Sequence, residues 1–329
     1  MSLIDILYLH HPNDREKSSV RALGGSELNE LFQELLSNLS VHLGQSKKHI
    51  AKNVFKVNPN SLQNWCGANP CYPNGHPIPL WAISLCLQLL KKRRSRTHMQ
   101  IIKNIEQLQC GRVARTVNAV TKLDPLLARL CGAHAAAGSL YLQSGRGPIT
   151  ALWEIGDQEK SNIEAVQEWS RRLFGIELRL QRKGAMYYIR SDTQVIPRYL
   201  IQVFDFPLGE KSRTVREPNI LANTNDERAL TDVREKERWQ LRLDFAKEVV
   251  NFDGHSTITG GIVSVGLGSD SADLRMNLCE IFDHFGVKFR NYDAHKKMLT
   301  TSSEESRKLY ELGLFRGQKR MKLRNSLCH

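Results

Sequence analysis

No apolar run in these 329 residues approaches the ~18 needed to cross a bilayer; the longest candidate, LWAISLCLQLL at residues 80–90, is amphipathic. No membrane-spanning segment is expected. The start, MSLIDILYLHHPNDR, lacks the basic stretch, apolar core and small-residue cleavage site of a signal peptide, which predicts a cytoplasmic, nucleoid-associated protein. Cysteine is sparse: seven residues, an odd number in no dense framework, fit reduced thiols better than disulfides. Cys66, Cys71 and His76 share a loop but have no fourth ligand nearby, so they make a poor zinc site. Acid is in deficit as well. The 34 Asp and Glu stand against 47 Lys and Arg, a net charge of +13 that favours polyanionic partners, nucleic acid first. A chain this long predicts two or three domains.

Residues 1–25 carry no clear period, and HHPNDREKSS reads as a flexible polar arm. From Ser26 the spacing of Leu28, Leu31, Phe32, Leu35, Leu36 and Leu39 predicts a helix that stops at Gly44. A short helix, HIAKNVF, a tight connection and a third helix, NSLQNWCGA, follow in the order of a helix-turn-helix unit. Ile50, Val54, Val57, Leu62 and Trp65 would form its core side, leaving Asn60, Ser61, Gln63 and Asn64 to meet base edges. An ordinary helical bundle with solvated polar residues fits the same pattern. The run KKRRSR at residues 91–96 would suit phosphates. Residues 97–121 read as a helical connector, with Ile101, Ile102, Ile105 and Leu108 at helical spacing.

The rest of the chain repeats itself. LCGAHAAAGSL at residues 130–140 and FAKEVVNFDGHSTI at residues 245–258 each read as a helix that ends in Gly and runs straight into a strand. Asp124 and Pro125 supply the cap and first residue of the first helix; Leu241, Phe245, Val249 and Phe252 form one apolar face of the second. Each is followed by a hairpin, a helix closing on Phe-Gly, two more strands and a last helix. Gly254 lies 116 residues after Gly138, Phe285 lies 111 after Phe174, and Lys319 lies 108 after Lys211. Three landmarks in register predict an internal αββαββα duplication. The expected organisation is a polar arm (1–25), an all-helical helix-turn-helix domain (26–96), a connector (97–121), a first repeat (122–222), and a linker with a second repeat (223–329). The fold class is α+β.

These helix-then-strand pairs, with FPLGEKSRTVREPNIL at residues 206–221, resemble the intein-type LAGLIDADG homing endonuclease family over about residues 122–323. The resemblance implies a saddle of two antiparallel sheets over the major groove of double-stranded DNA. It also implies an acid before the terminal Gly of each motif helix, two carboxylates meeting at a metal-filled site. Here the acid survives as Asp253 and is replaced by Ala137 in the first copy, with Ala135 where the earlier motif Asp would lie. Glu248 stands where the motif has Gly, and a charged insertion at residues 223–239 lengthens the linker and the second motif helix. Lys211 and Lys319 match the lysines that serve the family's site.

Strand alternation assigns the sheet faces. With Leu140 and Leu142 inward, Ser139, Tyr141 and Gln143 point outward; with Ile258 inward, His255, Thr257 and Thr259 do. Arg146, Arg179, Arg182, Lys288, Arg290, Lys296 and Lys297 add positive charge for phosphates. A polar, solvated sheet face is the plainer reading of the same residues. The expectation is a monomer, with an internal pseudo-two-fold, that binds duplex DNA without a cofactor and has a degraded active site in a regulatory role. Two alternatives stay open: an endonuclease or nickase that uses magnesium, held in part by Asp253, and a maturase-like RNA binder.

Overall fold

The first residues enter the structure as core. A computed structural model of the chain describes residues 2–10, 19–66, 76–110, 115–142, 151–191, 193–223 and 225–328. Leu3, Ile4, Ile6, Leu7 and Leu9 are buried, and Asp5 caps the 3₁₀ turn Ile6–Leu9 by accepting the Leu7 N–H. Leu3 bridges to Lys122 and Ile4 to Ala229. The polar arm expected over residues 1–25 is corrected here. Spacing too irregular for a helix or strand still removes five apolar side chains from water, at ~1.5–3 kcal/mol for each fully buried one. Most of HHPNDREKSS lies outside the described residues.

Strand β1 (Val20–Leu23) leads into α1 (Ser26–Leu43), whose Leu28, Phe32, Leu35, Leu36 and Leu39 form one buried face and which ends at Gly44 in the left-handed region. α2 (Lys47–His49) runs on as a wider π turn over Ile50–Val54. α3 (Pro59–Trp65) opens with Asn58 accepting the Asn60 N–H and with Pro59 at its first position. β2 (Ile78–Pro79), α4 (Leu80–Leu89), α5 (Arg96–Asn104), β3 (Gln107–Cys110) and β4 (Val117–Asn118) follow. Trp81 on α4 meets Phe55 and Trp65 edge-on, with ring centroids 5.7 and 5.8 Å apart, and so holds α3 in place.

The four strands form one sheet in the order β2-β1-β3-β4. The expectations of an all-helical domain and of a helical connector are therefore both corrected. The helix is left at Ile105, which is extended with ψ 109°. Leu108, at helical spacing from Ile101 and Ile105, is instead buried in β3 opposite Ala22. Short apolar spacings do not separate helix from strand; here cross-strand partners for the backbone decide.

The duplication is present as read. The first repeat runs α6 (Pro125–Ala137), β5 (Gly138–Leu142), β6 (Ala151–Asp157), α7 (Lys160–Phe174), β7 (Gln181–Lys183), β8 (Met186–Arg190) and α8 (Val195–Arg198). After the short α9 (Asn219–Ala222), the second runs α10 (Glu235–Asp253), β9 (Gly254–Thr259), β10 (Ile262–Gly268), α11 (Ala272–His284), β11 (Phe289–Tyr292), β12 (Lys297–Thr300) and α12 (Ser303–Glu311), with α13 (Gly317–Leu327) beyond it. The sheets are antiparallel, ordered β5-β6-β8-β7 and β9-β10-β12-β11: first, second, fourth, third in both. α7 covers one face of the first sheet with Ile163, Val166, Leu173 and Phe174, and α11 covers the second with Leu274, Leu278, Ile281 and Phe282, all buried. Among the described residues no helix is long and apolar enough to cross a membrane.

α6 and α10 pack side by side. A side chain at Gly132 would run into the carbonyl oxygen of Phe245, so only glycine lets the backbones come this close. Across the same crossing Arg129 donates to Asp244 at 2.8 and 3.0 Å. The charged insertion is docked as well as being a spacer: Arg228 is buried between Asp226 and Asp205.

Candidate functional site

Both motif helices stop with four carbonyls short of helical partners and with the negative end of the helix dipole exposed. A lysine answers each. Lys211 donates to the carbonyls of His134, Ala135 (2.7 Å) and Ala136 (3.3 Å) at the end of α6. Lys319 donates to those of Asn251 (3.1 Å) and Phe252 (2.8 Å) at the end of α10. The landmark lysines of the two repeats thus do the same structural work, and both ammonium groups are engaged with backbone.

Between these caps lie Ala137 and Asp253. They share a recess of about 460 Å³ with Asp157, Glu159, Lys319 and Lys322. Asp253 also borders a second recess of about 390 Å³, beside Lys211, Ser139, Ser269 and Asp270. Asp253 is exposed to these openings, yet the protein around it excludes enough water to push its carboxyl up to about 6. Lys211 and Lys319 pull it down, and Asp157 pushes it up. Burial draws Lys211 down to about 8 against the pull of Asp253. Three residues inward from the helix end, His134 is fully buried, accepts the Trp153 indole N–H on Nδ1 at 3.2 Å and lies edge-on to Phe206. Burial first, and Lys211 second, hold it well below its ordinary value.

The donors present do not fit a two-metal centre. Asp253 brings one carboxylate, and Ala137 brings none. Asp157 already accepts from the Glu159 N–H at 2.7 Å and from Asn162 at 2.9 Å. Among the described residues, no group of three or more His, Cys, Asp and Glu is placed to hold a metal ion. Magnesium demands near-octahedral oxygen ligation and is usually held through one or two carboxylates, several waters and substrate phosphates, so Asp253 alone leaves a second ion without a carboxylate of its own.

The sheet faces follow from the register. In the second sheet His255, Gly266, Leu299 and Arg290 form one cross-strand row, and Gly268, Lys297 and Tyr292 another. Thr257 and Thr259 share that face with His255. His255, Thr257, Thr259 and Arg290 are exposed, and Lys297 lies over the Tyr292 ring. No carboxylate occurs among the strand residues of this face. Lys288 is exposed just before β11, and Lys296, in the turn before β12, is paired with Asp270 at 2.7 Å. In the first sheet Ser139 and Tyr141 share the outward face as expected. Gln143 and Arg146 fall outside the described residues.

Arg182 and Ile258 depart from expectation. Arg182 pairs with Tyr187 on the parity of buried Ile189, opposite the Ser139 face, and lies over the Tyr187 ring. Arg179 is exposed but precedes β7. Ile258 has the inward parity yet is 61% exposed: it lies on the edge strand β9, while Val263 opposite it on β10 is buried. Sequence reading also left out Glu154, Arg190, Tyr188 and Gln181 on the outward face, and Gln318 and Lys322 at the recess. Alternation from Ile189 would have found Tyr188 and Arg190.

In the N-terminal region Asn60 and Gln63 are exposed and Ser61 and Asn64 half-buried, with Leu62 and Trp65 in the core, as the spacing required. Part of KKRRSR is engaged elsewhere. Arg93 donates to Asp5 at 3.0 Å and to Ser84 at 2.5 Å, and Arg94 donates to the carbonyls of Asp226 and Ala229. Desolvated acids and carbonyls outcompete solvent for these forked donors.

Two αββαββα repeats, joined at a close helix crossing with a two-recess centre, give the duplicated α+β architecture expected above. The chain is similar to solved structures of homing endonucleases, one of them described as a LAGLIDADG meganuclease. A single-residue variant of I-DmoI in complex with its target DNA and manganese is 12% identical, over 60% of this chain and 96% of that one, with a TM-score of 0.39. The homing endonuclease I-WcaI bound to its DNA recognition sequence is 11% identical, over 62% and 88%, with a TM-score of 0.40. The LAGLIDADG meganuclease I-AabMI bound to uncleaved DNA is 12% identical, over 63% and 89%, with a TM-score of 0.38. No family model matches the chain, and no curated protein does.

Proposed function

We propose that this protein binds double-stranded DNA sequence-specifically through its two sheet faces and does not cut it, acting as a regulator or architectural binder. The observation that carries this reading is the outward face of the second sheet. It presents His255, Thr257, Thr259, Arg290 and Lys297 in register, with no carboxylate on its strands. Hydroxyls and imidazole suit base edges, and the cations suit phosphates. One chain supplies both halves of the surface, so a monomer suffices, and binding needs no cofactor. Residues 26–96 are read as a helix-turn-helix unit that adds Asn60 and Gln63 of α3 to the footprint. Residues 122–222 and 223–329 are read as the two repeats.

Hydrolysis of a phosphodiester at this centre would need metal-bound water and charge stabilisation. A single carboxylate and two lysines already bonded to helix ends support binding over cutting. The second reading, a magnesium-dependent nickase, is favoured by one observation: Asp253 survives at the junction of both recesses, with Asp157 and Glu159 nearby. The test is a selection of bound genomic fragments, followed by incubation of supercoiled plasmid carrying the selected site with protein and magnesium. Retained supercoiling with a specific footprint is expected. Linear product that disappears in Asp253→Asn would establish an endonuclease instead, and displacement of the duplex by structured RNA but not by competitor DNA would establish an RNA binder.

A further inference from the structure

The outward faces of both sheets carry a single carboxylate among their described strand residues, that of Glu154. It lies in the cross-strand row Ser139, Glu154, Arg190, one residue from the end of α6. Glu154 Oε2 accepts two hydrogen bonds from Arg190, from Nε at 3.0 Å and from Nη2 at 2.6 Å, and the two side chains are 32% and 49% exposed. An acid facing a polyanion is repelled unless something neutralises it. Arg190 does so, and in return its guanidinium is fixed in one orientation above the sheet. The remaining Nη1 and Nη2 hydrogens face away from the carboxylate, and no described residue accepts from them.

A planar fork with two free donors, standing on a strand face that enters a major groove, matches the O6 and N7 acceptors of guanine. We propose that Arg190 reads a guanine and that Glu154 is the positioning residue that sets the angle of its guanidinium; the proposal rests on the duplex-binding reading above. The second repeat supplies no such pair: its equivalent row is His255, Gly266, Leu299, Arg290, with no acid beside the arginine. Because the Ser139 row adjoins the helix end, the guanine belongs near the middle of the footprint, on the side held by the first repeat.

The experiment uses the full-length protein and a duplex from the selection, with each position replaced in turn by the other three base pairs. Wild type should prefer one guanine near the centre by about five- to 150-fold. Arg190→Ala should abolish that preference and leave the others intact. Arg190→Lys keeps the charge without the fork, and should retain the affinity for the duplexes lacking that guanine while losing the same preference. Glu154→Gln should weaken the preference, and Glu154→Asp should partly restore it. If Arg190→Ala instead weakens all sequences equally and lowers the salt slope by about one, Arg190 is a phosphate contact and the proposal falls while duplex binding stands. A lowered melting temperature with unchanged base preferences would also overturn it, reducing the pair to a sheet staple. Wild type with no preference among duplexes would remove the underlying reading itself.

Discussion

Asn251 Oδ1 accepts the backbone N–H of Phe315 at 2.5 Å, and both residues are buried. At the same offsets, the first repeat places Ala135 opposite Pro207: the acceptor is gone, and so is the donor, since proline has no N–H. The pair has been lost as a unit, so the departure at Ala135 leaves nothing unsatisfied.

Asn251→Ala should therefore cost about 1–3 kcal/mol, because it strands a buried donor and also removes the bond from Asn251 Nδ2 to Glu248 at 3.0 Å. Ala135→Asn should not stabilise, having no N–H to accept. Urea unfolding midpoints of the two variants against wild type check both statements.

Ala137→Asp should restore the second carboxylate beside Asp253. We predict that this variant gains divalent-cation binding, read by calorimetric titration with manganese, and that Asp253→Asn removes the gain. An unchanged titration would mean that residues 137 and 253 do not face a common ion, and would undo the correspondence between the repeats.

The Asp253 carboxyl, raised to about 6 by burial, is ionised at pH 7.5 and neutral at pH 5. Neutralisation removes a negative charge from the centre of the proposed binding face, so duplex affinity should rise as the pH falls through 6, and Asp253→Asn should make that part of the profile flat. His255 gains charge in the same direction, but burial, Lys319 and Lys297 lower its value, so His255→Gln separates the two. In folding the sign is opposite for alkali. The raised value makes the contribution of Asp253 fully present below its ordinary ~4 and lost as the pH rises through 6.

His134 acts the other way. With its value held well below the ordinary ~6.5 by burial, the unfolded chain binds a proton that the native state refuses. Stability should fall as the pH drops below ~6.5, by up to ~1.4 kcal/mol per unit for this one group. His134→Gln can still accept from Trp153 and cannot titrate. Its loss of stability between pH 7 and 5 should be smaller than that of wild type in chemical unfolding at each pH.

The repeated region was legible because its signals are local and doubled. Gly138 and Gly254, two Phe-Gly helix ends and two lysines recur in one order, and all organise equivalent elements in both copies. The N-terminal sheet was not. β2 and β4 have two residues each, too few to show alternation, and β3 continues a helical spacing until its pairing with β1 overrides it. Arg182 and Ile258 were misjudged for a related reason: parity tells which face a side chain takes, while cover depends on how far α7 and α11 reach, which no single strand encodes. The roles of Lys211 and Lys319 were half-visible. Their register was plain, but their bonds to carbonyls depend on where the following chain turns back.

At the crossing of α6 and α10, Gly132 meets the Glu248 side of the partner helix, and the Glu248 carboxylate turns aside to Arg316 and Asn251. Two copies of the second repeat could not meet in this way, because two buried acids would converge where one finds room and an arginine. The halves have ceased to be exchangeable. A surface of this kind has a direction: under the proposed duplex binding it would distinguish a duplex from the same duplex turned end for end, and the site expected to fit it best is not a palindrome.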